Sequence, residues 1–196
     1  MSLNITTLVK TAKKIQRAHP DDIFDIVLFG SAMKGKDKPG DIDILIIFTK
    51  EVNKKIERAL HTELAIPTAD VQSITLKELE GNGFVAKEGI YLEGLSLVHN
   101  QPLSDSLGFY SVAFIKYSLE SIQGSPRVKF YYALQGRKDQ KGFLQEIGAT
   151  RYTDNTLLCP YSLVEPVKTF LDHWNIGYKV TPALVPKRLI PILFSK

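Results

Sequence analysis

Asp25-Ile-Val-Leu-Phe29-Gly30-Ser31, then nine intervening residues, then Asp41-Ile-Asp43-Ile-Leu-Ile-Ile47 is the stretch that decides the fold of this chain. The apolar run before Gly30 reads as a buried strand that stops at the glycine. Ile42 to Phe48 reads as a second strand. Side chains two apart on a strand share a face, so Asp41 and Asp43 project together while Ile42 and Ile44 pack on the other side. Two neighbouring carboxylates are costly unless cations neutralise them. Facing a small loop of phosphate size, they suit magnesium ions that hold a nucleoside triphosphate.

Outward from this stretch, Leu8, Ala12 and Ile15 recur at helical spacing between Asn4 and Ala18, with His19-Pro20 ending the helix. Residues 31–35 predict a short helix, 36–40 a loop, and Val52, Ile56, Ala59, Leu60 and Leu64 a second helical face. A third strand is expected over 66–74, with Thr68, Asp70, Gln72 and Ile74 on one face. If it neighbours the second, Asp70 joins Asp41 and Asp43 as a third carboxylate. Gly89 to Val98 reads as a strand pair or a strand ending in a turn.

Pro102 to Gly108 is the best boundary by composition. Residues 1–107 carry 13 Lys and Arg against 15 Asp and Glu; residues 108–196 carry 12 against 6, a net +6. An acidic part with clustered carboxylates and a basic part behind it suggest a division of labour in which the basic part holds a polyanion. In the basic part, Val112, Ile115, Leu119 and Ile122 mark a helix and Gly124-Ser-Pro126 a break. Arg127 to Leu134 predicts another helix, and Gly136 to Lys141 a basic loop. A short helix is expected over 143–147, a strand over 156–159 and a strand over 178–185. Ser162 and Glu165 have the spacing of a capping box, with Val167, Phe170, Leu171 and Trp174 behind them and Gly177 as the stop. Tyr131 and Tyr132 near Arg127, Lys129, Arg137, Lys138 and Lys141 would make an aromatic and basic face suited to stacking bases, though tyrosines also fill small cores.

The composition, 44% hydrophobic and 23% charged, is that of a globular protein, and no apolar run approaches the roughly 20 residues of a bilayer span. With no start resembling a signal peptide, the expectation is a cytoplasmic protein. The single cysteine, Cys159, excludes an internal disulfide or a multi-cysteine zinc site and reads as a small buried hydrophobe. His19, His61, His99 and His173 have no metal-ligand spacing.

Gly30-Ser31, the gap, Asp41-x-Asp43 and a later Asp70 together resemble the DNA polymerase beta-like nucleotidyltransferase superfamily, and within it the minimal nucleotidyltransferases. The likeness is specific over about residues 23–75 and weaker to about 100. It implies a mixed α/β nucleotidyltransferase fold over 1–105, a short twisted sheet with helices mainly on one face. A smaller basic α+β module, of winged-helix character, is expected over 108–196. It implies that Gly30 and Ser31 bind the triphosphate and that Asp41 and Asp43 ligate Mg²⁺ or Mn²⁺. Asp70 would join them at the metal or accept the proton of the incoming hydroxyl. The reaction implied is in-line attack on the α-phosphate with pyrophosphate leaving. The acceptor would be a nucleic-acid end, a protein side chain or a small molecule. Met33-Lys34-Gly35 and Gly40 stand where many minimal members have alanine-arginine-glycine and serine; Lys34 keeps a cation by the phosphates without the fork of arginine. The alternative reading is a nucleic-acid-binding or regulatory protein on a catalytically silent scaffold of this fold.

Overall fold

A computed structural model describes residues 4–33, 41–81 and 86–194. The chain divides into two compact units, Met1–Leu107 and Gly108–Lys196.

The first unit begins with α1 (Ile5–Ala18), which buries Leu8, Ala12 and Ile15; the Asn4 side chain caps it by accepting from the Thr7 N–H at 3.2 Å. β1 (Ile23–Phe29) runs into a single 3-10 turn, Gly30–Met33, and β2 (Ile42–Phe48) follows. α2 (Lys54–Leu64), capped by Asn53, buries Ile56, Leu60 and Leu64 and crosses to β3 (Ala69–Thr75). α3 (Leu76–Glu80) and α4 (Lys87–Glu93) precede two short strands, β4 (Leu95–Ser96) and β5 (Gln101–Pro102), and α5 (Leu103–Ser106) closes the unit. The sheet order is β3-β2-β1-β4-β5, with β2 and β3 parallel and the remaining pairs antiparallel. Such a mixed sheet follows from the chain: a short link joins β1 to β2, whereas a parallel neighbour needs a crossover, supplied by α2.

Ile44 to Phe48 are all fully buried, because β2 is central and both of its faces are covered. Ile42, Ile44, Ile46 and Phe48 pack with α1 and α2. Leu45 and Ile47 pack with Leu79, Ile90 and Leu103 from α3, α4 and α5. The helices therefore cover both faces of the sheet rather than mainly one. The expected strand pair, or strand ending in a turn, over 89–98 is corrected in its first half: residues 89–93 belong to α4, capped by Gly94, and only Leu95–Ser96 is strand, with a turn after it. A side chain at Gly94 would meet the Ile90 carbonyl at 2.4 Å and Val27 Cγ1 at 2.8 Å.

In the second unit, β6 (Phe109–Tyr117) is followed by α6 (Ser125–Gln135), the hairpin of β7 (Gly136–Arg137) and β8 (Gln140–Lys141), and α7 (Phe143–Ile147). β9 (Thr150–Thr153), β10 (Thr156–Pro160), α8 (Val164–His173), β11 (Tyr178–Pro186) and α9 (Ile190–Leu193) complete it. An antiparallel sheet in the order β11-β6-β10-β9 packs Ala113, Ile115, Leu157 and Cys159 against Phe130 and Leu134 of α6 and Val167 and Leu171 of α8. Phe170 stacks on Phe143 at 4.2 Å and Trp174 meets Phe130 edge-on at 5.7 Å, so both are core residues. Burial pushes the Cys159 thiol up to about 11, which fits a structural rather than a reactive cysteine.

Two expectations for this unit fail. The helix through Val112 and Ile115 is instead β6, in which Ala113, Ile115 and Tyr117 alternate onto the core. Ser162 does not cap α8: it lies in a 3-10 turn, Tyr161–Leu163, and α8 ends before Trp174 rather than at Gly177. The capping box belongs to α3, where Thr75 and Glu78 bond reciprocally.

Candidate active site

The acidic cluster is built by strand register. Asp43, the second residue of β2, pairs with Phe29 at the end of β1 and with Asp70 on β3. Directly opposed residues of a parallel pair show the same face, and neighbouring strands lie about 4.8 Å apart, so Asp43 and Asp70 stand side by side. That face is the one Leu45, Ile47 and Ile74 use to meet α3, α4 and α5. The carboxylates occupy its uncovered end. Asp41, just ahead of the strand, is exposed, as is Asp70, while Asp43 is half-buried.

Gly30 makes the approach possible. Its φ is +75°, and a Cβ built on it would fall 2.1 Å from Asp43 Oδ2 and 3.1 Å from Cγ. The Asp43 carboxylate thus lies directly over the glycine Cα, where no other residue leaves room. The Ser31 hydroxyl donates to the Asp41 carbonyl at 3.3 Å, tying the turn to the start of β2. α4 lies against the same turn. Lys34 and Gly40 fall outside the described residues.

Burial pushes the Asp43 carboxyl above its usual value; the negative charges of Asp70 and then Asp41 push it the same way. Both neighbouring acids therefore bear on this one carboxyl. Among the described residues no group of three or more His, Cys, Asp or Glu side chains is arranged to hold a metal ion by itself. The donor set nevertheless fits a hard divalent ion held by one or two carboxylates with substrate phosphates and water filling the remaining positions, the usual habit of magnesium. A cation there would relieve the repulsion that raises Asp43.

Two hydrogen-bonded groups of this sheet escape the sequence reading. Gln72 Nε2 donates to Asp70 Oδ2 at 2.7 Å and so fixes that carboxylate from two residues along the same strand face. Asp25, 1% exposed within β1, accepts from the Ser96 hydroxyl at 2.8 Å and the Ile26 N–H at 2.7 Å, and Ser96 Oγ accepts from the His99 N–H at 3.0 Å. Burial pushes the Asp25 carboxyl up against the opposing effect of these bonds. The run 23–29 reads as a strand, but nothing in it signals the bonding partner 71 residues away.

Residues 8–93 match the family model of the nucleotidyltransferase domain, which spans α1 to α4 and contains Gly30, Ser31, Asp41, Asp43 and Asp70. The match covers 86 of the 196 residues and lies wholly within the first unit, which is thus similar to a nucleotidyltransferase domain. Similar solved structures include a toxin–antitoxin crystallised with AMP-PNP, at 22% identity and a TM-score of 0.37 over 54% of this chain and 80% of that one. A mutant of the toxin–antitoxin MntA–HpeT gives 21% and 0.37 over the same shares. No curated protein matches the chain. Among the described residues no helix is long and apolar enough to cross a membrane.

Proposed function

We propose that this chain transfers a nucleoside monophosphate from a nucleoside triphosphate to a hydroxyl acceptor and releases pyrophosphate, with Asp41, Asp43 and Asp70 as the acidic residues of the site. The observation that carries this reading is the register pairing of Asp43 with Asp70 while Gly30 gives up its side-chain space to the Asp43 carboxylate. An acidic pair at a strand end that served only as solvated surface would not need a glycine packed against it.

Mg²⁺ or Mn²⁺ ions, each held by one or two of the carboxylates of Asp41, Asp43 and Asp70 with phosphate and water oxygens completing the shell, would supply charge neutralisation at the phosphates and activation of the acceptor oxygen. The protein residues do the positioning. Gly30 and Ser31 would offer backbone N–H groups to the triphosphate at the turn after β1, and Lys34, three residues on in the sequence, would add a cation. Asp70, with Oδ2 engaged by Gln72, keeps Oδ1 for a metal or for the proton of the attacking hydroxyl. The acceptor oxygen then bonds to the α-phosphorus as the bond to the pyrophosphate oxygen breaks in line, and the hydroxyl proton passes to the carboxylate. Such a step depends on alignment and electrostatics more than on covalent participation by the protein.

The test is incubation of the purified protein with labelled nucleoside triphosphates and candidate acceptors, with Mg²⁺, with Mn²⁺ and with chelator. Label should pass to an acceptor only with metal, and Asp43→Asn should abolish transfer while leaving circular dichroism and melting behaviour intact. Equal transfer by wild type and Asp43→Asn would refute the assignment.

A further inference from the structure

The second unit carries a surface that its own fold does not explain. α6 turns Phe130 and Leu134 into the core, yet its opposite face shows Val128 and Tyr132, 49% and 44% exposed. Amphipathic surface helices reserve that face for polar residues. Here it holds an apolar side chain and an open ring, with Lys129 beside them.

The adjoining hairpin is built to meet this ring. Gly136, at φ +88°, and Gly142 sit back to back at its base. A Cβ on Gly136 would lie 2.3 Å from the Gln140 carbonyl oxygen, and one on Gly142 would lie 2.1 Å from the Gly136 nitrogen. With no side chains between them, the two hairpin ends close directly beneath the end of α6. Arg137 is thereby held with its guanidinium carbon 4.9 Å from the centre of the Tyr132 ring. This is a preformed cation–π pair at the surface.

Charge points the same way. Residues 125–141 contain Arg127, Lys129, Arg137, Lys138 and Lys141 against the single acid Asp139, a net +4 that equals the formal charge of the entire chain. Among the described residues none of these five cations is in a salt bridge. Arg151, which lies 5.7 Å from the half-buried Tyr131, differs in being paired to Asp154 at 2.6 Å.

We propose that α6 and the β7–β8 hairpin form a binding surface for single-stranded nucleic acid, with an unpaired base stacked on Tyr132 and the surrounding cations along the phosphates. An exposed aromatic ring with unpaired cations around it is the combination that recognises bases and backbone at once. An acidic peptide would use the charges and leave the ring idle. A duplex would hide its base faces from the ring.

The experiment is fluorescence anisotropy of the full-length protein with labelled single-stranded RNA and DNA 12-mers, the matching duplexes, and polyglutamate as competitor. No metal or triphosphate is present, so the outcome is independent of the nucleotidyl-transfer reading. Three or four phosphate contacts predict that single-strand affinity falls about 20- to 50-fold between 50 and 200 mM salt. Tyr132→Ala should weaken binding by about 5- to 150-fold, the range for losing one stacked base, and Tyr132→Phe should restore it. Arg137→Glu should weaken binding and flatten the salt dependence. Absence of saturable binding, duplex binding of equal strength, equal competition by polyglutamate, or indifference to Tyr132→Ala would each overturn the proposal.

Discussion

Replacement of Gly30 by alanine separates two effects that a glycine at this position combines. The first is backbone strain: an L side chain at φ +75° costs about 1–2 kcal/mol. The second is displacement: the new Cβ meets Asp43 Oδ2 at 2.1 Å, so the carboxylate must retreat by on the order of 1 Å to recover an ordinary contact. A displacement of that size at a group that aligns reactants lowers the rate by about 100-fold. Gly148 is an internal control. Its φ is +72° and nothing stands within 4 Å of the position a Cβ would take, so Gly148→Ala carries the strain without the displacement. Both variants should lose about 1–2 kcal/mol in urea denaturation. Only Gly30→Ala should lose about 100-fold in kcat/KM for pyrophosphate release with the acceptor found by labelling. If Gly30→Ala stays within about threefold of Gly148→Ala, the close approach of Gly30 to Asp43 has no catalytic role and the reasoning fails.

Two further predictions concern the framework. Asp25 binds its proton more tightly in the folded chain than at its usual 3.8, so the native state holds more protons and stability falls as pH rises from about 4 through the raised value. Asp25→Asn, which keeps an oxygen for Ser96 and Ile26, should therefore gain on wild type as pH increases from 4 to 7; a stability gap that instead closes toward neutrality would contradict this. Thr75→Ala, which removes the hydroxyl that caps α3, should cost about 1 kcal/mol by chemical denaturation, and no measurable change would show that this cap is idle.

Most of the acidic cluster was legible because strand parity and spacing are local properties. Asp41-Ile-Asp43-Ile fixes which side chains share a face, and a buried apolar run after it fixes the direction of the strand. The contact between Gly30 and Asp43 was not legible, since it arises from the antiparallel register of Phe29 with Asp43. Gln72 was on the right face but gave no sign of bonding Asp70. The errors have a common physical origin. Val112 and Ile115 fit helical spacing, yet the segment is a strand buried on both faces at Val112 and Ala113, where apolar residues need not alternate. Gly89-Ile-Tyr-Leu has strand-like composition, but packing of Ile90 beneath the sheet decides for a helix. Ser162 and Thr75 carry the same capping spacing, and tertiary context selects only the second.

β2 is sealed above and below, and its second residue is an acid that reaches the surface. Local opening of a fold begins at frayed ends and thinly covered loops, whereas a central strand exchanges its amide protons only when the unit as a whole comes apart. The anchor of the acidic cluster is therefore inherited from the slowest-breathing part of the domain. Substrates bound there as proposed would come and go without the Asp43 backbone losing its bearings.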